Sequence, residues 1–355
     1  MAVQWFPGHM SLSKKAIEER IKHIDVVIEM VDARLPGSSA NPMLASLTAK
    51  RPTLKVLNKQ DLADPARTAL WLAHYNAGER TRAIALDTTD GNAARRLIAP
   101  CRELAPTRGL PSKPLRVLIC GIPNVGKSTL INRLLGRNAA KAADEAGVTR
   151  NEQRLVLEDG FFLFDTPGLL WPRIIVAQSG YNLAASGAVG RNAFDDQEVA
   201  LELLDYLTQS YPQLLAARFG LTDLRGEGST PESDAVLEAI GRSRGALAAG
   251  GKVNLQKAAE LLIHDFRCGA LGRMTLETPQ EFARWLAEGK KLDAERQLRK
   301  ETLAREGHIR TPKSAVSNPV GRSAPKAPRV AKQATPRTAK AAVKKAAPRT
   351  KRSTS

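Results

Sequence analysis

Gly121-Ile122-Pro123-Asn124-Val125-Gly126-Lys127-Ser128 has the spacing G-x-x-x-x-G-K-[ST]. Glycines at both ends let the backbone N–H groups from Asn124 through Val125, Gly126 and on to Thr129 converge on phosphate oxygens. Lys127 would reach the β- and γ-phosphates, and the Ser128 hydroxyl would bind Mg²⁺. A loop of this kind accepts any nucleoside triphosphate, so the choice of base must come from elsewhere. Asn58-Lys59-Gln60-Asp61 is the candidate. A carboxylate at Asp61 can accept from N1–H and from the 2-amino group of guanine, donors that adenine does not offer there. Asn58 would meet the O6/N7 edge and help hold the loop. A site built to pair such groups can reject an analogue lacking them by roughly 10⁴-fold. Asp165-Thr166-Pro167-Gly168 would put Asp165 behind the Mg²⁺ and offer the Gly168 N–H to the γ-phosphate, while Thr149 would supply a hydroxyl to the metal once its loop closes. Each short motif alone is more often a solvated turn; together they indicate a guanine-nucleotide site.

These residues need strands that end where they begin. Val117 to Ile119 precede the glycine loop, and Leu130, Ile131, Leu134 and Leu135 follow it at helical spacing. Ile24 to Val31 is a nearly continuous apolar run and reads as a buried parallel strand. Pro36 to Pro42 reads as a loop and Met43 to Lys50 as a helix. Strands are expected at Thr53 to Leu57 and Arg82 to Leu86, with a helix at Pro65 to Tyr75 between them. Another helix should end near Leu104, and Gln153 to Leu157 with Phe161 to Phe164 form a hairpin. The pattern predicts an α/β fold with a mostly parallel sheet and one hairpin-linked edge strand. From about Asp195 only helices are expected, at Gln197 to Leu207, Val253 to Phe266 and Pro279 to Glu288, interrupted at Gly226 to Glu232.

Asn58 precedes Gly121, whereas an ordinary small GTPase has its phosphate loop first. The sequence therefore reads as a circularly permuted P-loop GTPase domain over residues 1–177, a small all-α domain over 178–306 and a disordered basic tail over 307–355. The segment after Gly168, which would sense the γ-phosphate, runs straight into the helical domain.

Of 355 residues 43% are hydrophobic, enough for a sizeable core. The net charge is +18, and residues 311–355 contribute twelve Lys and Arg with no Asp or Glu. This Ala/Lys/Pro-rich stretch cannot bury enough apolar area to offset its ordering entropy. It would engage nucleic-acid phosphates without reading sequence; the blander reading is a solubilising tail. Cys101, Cys120 and Cys268 have no metal-ligand spacing, which points to a reducing compartment and no structural zinc. The N-terminal stretch MAVQWFPGHMSLSKK lacks an apolar run of signal-peptide length and nowhere do about 18 consecutive apolar residues occur, so the expected location is cytoplasmic, away from membranes.

From about Trp5 to Pro279 the sequence resembles the ribosome biogenesis GTPase A family, circularly permuted GTPases of bacterial large-subunit assembly. Beyond the nucleotide motifs, the resemblance rests on Trp5-Phe6-Pro7-Gly8-His9-Met10, on Val31-Asp32-Ala33-Arg34-Leu35-Pro36 and on the run from Gly269-Ala270-Leu271-Gly272-Arg273 to Met274-Thr275-Leu276-Glu277-Thr278-Pro279. It implies a slow GTPase that contacts ribosomal RNA through its helical domain, docks on the large (50S) subunit late in maturation in the GTP state and leaves after hydrolysis.

By the same resemblance Mg²⁺ is the cofactor, held by Ser128, Thr149 and Asp165, and His9 joins Lys127 and Thr149 as the catalytic set. His9 replaces the water-orienting glutamine, since Leu169 stands after Asp-x-x-Gly. A histidine that merely positions the N-terminal segment or meets RNA is the alternative. Asn124, by likeness to potassium-dependent GTPases, would help hold K⁺; its alternative is bracing its own loop. Two departures are visible: Asp87-Thr88 replaces the usual Ser-Ala pair among the base and ribose contacts, and Ala146 stands where the family commonly has proline. Two other functions remain compatible with the residues: an RNA-binding assembly chaperone with a structural nucleotide, and a small-subunit maturation GTPase. The second branch carries a barrel and a zinc-binding domain, neither evident here.

Overall fold

The computed structural model describes residues 17–88, 90, 95–110, 112–134, 154–158, 160–221 and 232–309. Within them six strands form one sheet: β1 (Val26–Asp32), β2 (Thr53–Asn58), β3 (Thr81–Ala85), β4 (Leu115–Gly121), β5 (Arg154–Glu158) and β6 (Phe161–Asp165). Their spatial order is β3-β2-β1-β4-β6-β5. Every pairing is parallel except that of β5 with β6, the expected hairpin at the edge.

All seven residues of β1 are buried, which only a strand covered on both faces can be. Its one central charge, Glu29, lies in register with Lys55 on β2, and the two form an ion pair at 2.6 Å. That neighbour is why a carboxylate is tolerated in an otherwise apolar run. Because β1, β2, β3, β4 and β6 are parallel, their C-terminal ends lie along one edge of the sheet. The segments after them carry the nucleotide motifs, as ligand sites in open α/β sheets require.

Some elements differ from the sequence reading. Pro36–Ser39 is a one-turn helix rather than loop, followed by Pro42–Thr48, capped by the Asn41 side chain. Both prolines occupy a helix's first position, where the absent N–H is not missed. The Ala177–Ser186 helix had no sequence signal because it is buried nearly all round, through Ser179, Gly180, Asn182, Leu183, Ala184, Ala185 and Ser186, and so carries no amphipathic period. Pro212–Phe219 and Ser233–Ser243 are further helices not anticipated. The helix from Pro279 continues to Ile309, well past Glu288; its charged second half has no apolar stripe to reveal it.

Asp196–Ser210 is capped by Asp195 and Leu255–Cys268 by Asn254. The latter ends at Gly269, in the left-handed region with φ 79°. Described residues up to Thr302 belong to one compact unit and those from Leu303 on to a second. The interruption expected at Gly226 to Glu232, save Glu232, and the expected tail from 310 onward lie outside the described residues.

Candidate nucleotide-binding site

The glycine loop leaves β4 in a backbone course that side chains resist. Asn124 has φ 56° and Gly126 φ 100°. A Cβ at Gly126 would collide with the Asn58 amide nitrogen. The Lys127–Leu134 helix then begins, so its N-terminal N–H groups and dipole face the loop. Lys127 is buried at 7% exposure. Burial holds its ammonium below the usual lysine range, and the Asp165 carboxylate pulls the other way. Ser128 and Thr129 stand in the same first turn, half-buried.

Asn58, at the end of β2, is a strut between two loops. Its Nδ2 donates to the Val125 carbonyl at 2.7 Å and to Thr88 Oγ1 at 3.4 Å, while its Oδ1 accepts from the Thr88 N–H at 3.3 Å. The loop-holding part of its expected role is what these bonds describe. Lys59 follows in the left-handed region, φ 61°, and its Nζ pairs with Asp32 Oδ2 at 2.9 Å. Gln60–Leu62 is a single 3-10 turn whose Gln60 N–H donates to the Leu86 carbonyl at 3.1 Å, beside Asp87. Asp61 projects from that turn, exposed. Partial burial and then the negative charge of Asp87 raise its pKa above the ordinary carboxylate value.

Gly168 lies against the phosphate loop: a Cβ there would stand 2.9 Å from Pro123 Cα. The next residue's N–H, on Leu169, donates to the Gly121 carbonyl at 3.0 Å. Asp165 ends β6, buried at 3% exposure. Asn58, Lys59, Gln60, Asp61, Asp87, Thr88, the 124–129 loop, Asp165 and Gly168 are thus gathered at one sheet edge. His9 and Thr149 lie outside the described residues.

A hard cation takes oxygen ligands, and the Ser128 hydroxyl, in the first turn of the Lys127–Leu134 helix, and the Asp165 carboxylate, buried at the end of β6, are groups of that kind. The Asn124 side chain reaches beyond its own loop. Its Nδ2 donates to the Gly187 carbonyl at 2.9 Å, at the C-terminus of the Ala177–Ser186 helix. Arg267 reaches the same helix end, donating to the carbonyls of Ala185 and Ala184, both at 2.8 Å.

Two groups to which the sequence reading assigns no role stand out in the interior. Asp32 and Arg34, each 1% exposed, form a two-pronged pair: Nε to Oδ1 at 3.0 Å and Nη2 to Oδ2 at 2.8 Å. Burial alone would raise the Asp32 pKa, but Arg34 and Lys59 hold it well below the carboxylate range. Glu277, fully buried, accepts from the Ser38 N–H at 2.8 Å, from the Ser38 hydroxyl and from Asn182 Nδ2 at 3.3 Å. Their signal was charge where the neighbouring residues are apolar.

The family model described as "50S ribosome-binding GTPase" matches residues 116–216. A Bacillus cereus protein named Ribosome biogenesis GTPase A is 39% identical over 301 residues, which is 82% of this chain and 99% of that one. A Xenopus tropicalis protein named Mitochondrial ribosome-associated GTPase 1 is 30% identical, over 77% of this chain and 94% of its own. The GDP-bound structure of Thermotoga maritima YlqF superposes with TM-score 0.54 at 26% identity, over 75% of this chain and 99% of that chain. The nucleotide motifs on a permuted sheet and this likeness along nearly the full length of its relatives have one meaning: the chain belongs to the ribosome biogenesis GTPase A family, GTP-hydrolysing enzymes of ribosome assembly.

Proposed function

We propose that this GTPase acts late in maturation of the large (50S) ribosomal subunit, docking on ribosomal RNA with GTP bound and leaving after hydrolysis. The reading is carried by one observation: the phosphate loop is hydrogen-bonded through Asn124 to the carbonyl after the Ala177–Ser186 helix, whose end Arg267 also holds. A change at the γ-phosphate therefore has both a covalent route, through Gly168 and the segment that follows, and a non-covalent one into residues 178–306. The description of the matching family model, which names the 50S ribosome, supports the choice of subunit. The setting is the cytoplasm; among the described residues no helix is long and apolar enough to cross a membrane.

In this reading Asn124, Val125, Gly126, Lys127, Ser128 and Thr129 hold the phosphates, and Asn58, Lys59, Gln60, Asp61, Asp87 and Thr88 form the base side. Gly168 senses the γ-phosphate. Mg²⁺, held by Ser128 and Thr149 with Asp165 behind, would supply charge neutralisation at the phosphates. Asn124 takes K⁺ through its carbonyl oxygen, and His9 orients water. The basic tail adds affinity for nucleic-acid phosphates. Leu169 cannot orient water, so the intrinsic rate is slow, and unassisted enzymes of this chemistry run as low as about 10⁻⁴ s⁻¹.

The test is GTP hydrolysis in potassium and in sodium buffer by the protein alone, with large subunits and with small subunits. Stimulation of about tenfold or more by large subunits, about 1.4 kcal/mol of barrier, is the expected result. Equal stimulation by small subunits would overturn the choice of subunit, and equal rates in the two salts would remove K⁺.

A further inference from the structure

The turn that carries Asp61 has little of its own to hold it. A single 3-10 turn closes only through Leu62 N–H to the Lys59 carbonyl at 3.0 Å and Ala63 N–H to the Gln60 carbonyl at 3.2 Å. Its outward backbone groups are instead met by one segment some 210 positions later in the chain. Arg273 donates from Nε to the Ala63 carbonyl at 2.9 Å and from Nη2 to the Gln60 carbonyl at 3.0 Å. The Met274 N–H donates to the Leu62 carbonyl at 3.0 Å. Thr275 Oγ1 accepts from the Asp64 N–H at 3.2 Å and donates to the Ala33 carbonyl at 3.1 Å.

The approach is close. A Cβ on Gly269 would stand 2.6 Å from Leu62 Cδ2. Just before Gly269, the Phe266 carbonyl accepts from Arg34 Nη1 at 2.9 Å, and Arg34 grips the same Asp32 that pairs with Lys59. The strap is thus fastened to the base loop on one side and to the loop's lysine, through Asp32 and Arg34, on the other.

We infer that residues 269–275 position the base-reading loop, with Arg273 as the positioning residue that sets where the Asp61 carboxylate stands, so that guanine discrimination depends on a segment from the helical region. Arg273 touches no substrate in this account; it acts through the Gln60 and Ala63 carbonyls. The inference rests on the reading of Asp61 as the guanine acceptor. A carboxylate that must meet two donors at once, N1–H and the 2-amino group, is more sensitive to a small displacement than one meeting a single donor.

The experiment uses the full chain with Mg²⁺ and measures dissociation constants for GDP, for IDP, which lacks the 2-amino group, and for XDP. Arg273→Ala is expected to weaken GDP by about tenfold and to lower the preference for GDP over IDP at least about threefold. Arg273→Lys, which replaces the planar two-nitrogen fork with a single ammonium, falls between. Arg273 is exposed, and the Lys variant carries the same reading if the Ala variant does not fold. An unchanged GDP-to-IDP ratio, or equal weakening of both, overturns the inference, since a merely structural role moves all nucleotides alike. Asp61→Asn tests the underlying reading separately: the amide reverses one acceptor into a donor and should transfer preference from GDP to XDP. If it does not, the Asp61 assignment fails; if it does while the Arg273 variants keep their ratio, the strap alone fails.

Discussion

Leu169 occupies the place where a small GTPase of ordinary order has its glutamine, and its surroundings decide what that substitution means. The side chain is fully buried in the main core. Its N–H is held by Gly121 and its carbonyl accepts from Asn41 Nδ2 at 3.0 Å. A glutamine there would bury an amide rather than present it to water, so Leu169→Gln is expected to leave GTP turnover no faster. It should lower stability by about 1–3 kcal/mol, read by denaturant titration. A rise in turnover would mean that the residue faces the nucleotide. Asp61 carries the pH dependence at this scale. In the proposed reading of Asp61 as the guanine acceptor, base recognition needs its carboxylate ionised, and its pKa is raised, first by burial and then by Asp87. GTP affinity should therefore fall with decreasing pH sooner than an ordinary aspartate would require. Asp87→Asn, by removing a neighbouring negative charge, should move that fall to lower pH. A binding-pH profile in the two proteins checks the direction.

Among elements, the junction of the one-turn Pro36–Ser39 helix, the Ala177–Ser186 helix and the segment before Pro279 is organised on Glu277. Burial raises its pKa to about 7, against the hydrogen bonds from Ser38 and Asn182, which favour the charged form. The ordinary value is 4.5, so the folded state binds this proton more tightly than the unfolded chain does. The group's contribution is then most favourable below the unfolded value and declines as pH rises from there to about 7, by roughly 3 kcal/mol. Glu277→Gln should flatten the dependence of the melting temperature on pH in that window. An unaltered slope would assign the pH dependence to other groups. The packing around this junction leaves little tolerance: Gly37 lies under the Phe282 ring, where a Cβ would stand 2.5 Å from a ring carbon, and the Trp71 indole N–H donates to the Glu277 carbonyl at 3.0 Å.

For the whole molecule the uneven charge matters most. Residues 311–355 hold twelve Lys and Arg of a chain whose net charge is +18. If about six of them meet a duplex-like backbone, removing the segment should make the slope of log affinity for ribosomal RNA against log salt shallower by about 5. Intrinsic GTP hydrolysis should not change, because no nucleotide motif lies there. Filter binding over a range of potassium concentrations measures the slope, and an unchanged slope would leave the tail with a solubilising role.

The local chemistry was legible in the chain itself. G-x-x-x-x-G-K-[ST] at Gly121–Ser128, the Asn58–Asp61 run and Asp165–Gly168 each follow an apolar run of strand length, and their order along the chain already states the permutation. Apolar runs of strand length located the six strands, and helical spacing located several of the helices, though not Pro212–Phe219 or Ser233–Ser243. What depended on partners distant in sequence was settled only by the tertiary structure. The Ala177–Ser186 helix, buried nearly all round, has no clear period to read. Asn58 spends its hydrogen bonds on Val125 and Thr88, and Asn124 reaches Gly187. Glu29, Asp32 and Glu277 are tolerable in the interior because Lys55, Lys59 and Ser38 come to them across the fold, Arg34 joining Asp32 from two residues away. A residue's type states what it can bond; which bond it makes is decided by the neighbour that packing brings within about 3 Å.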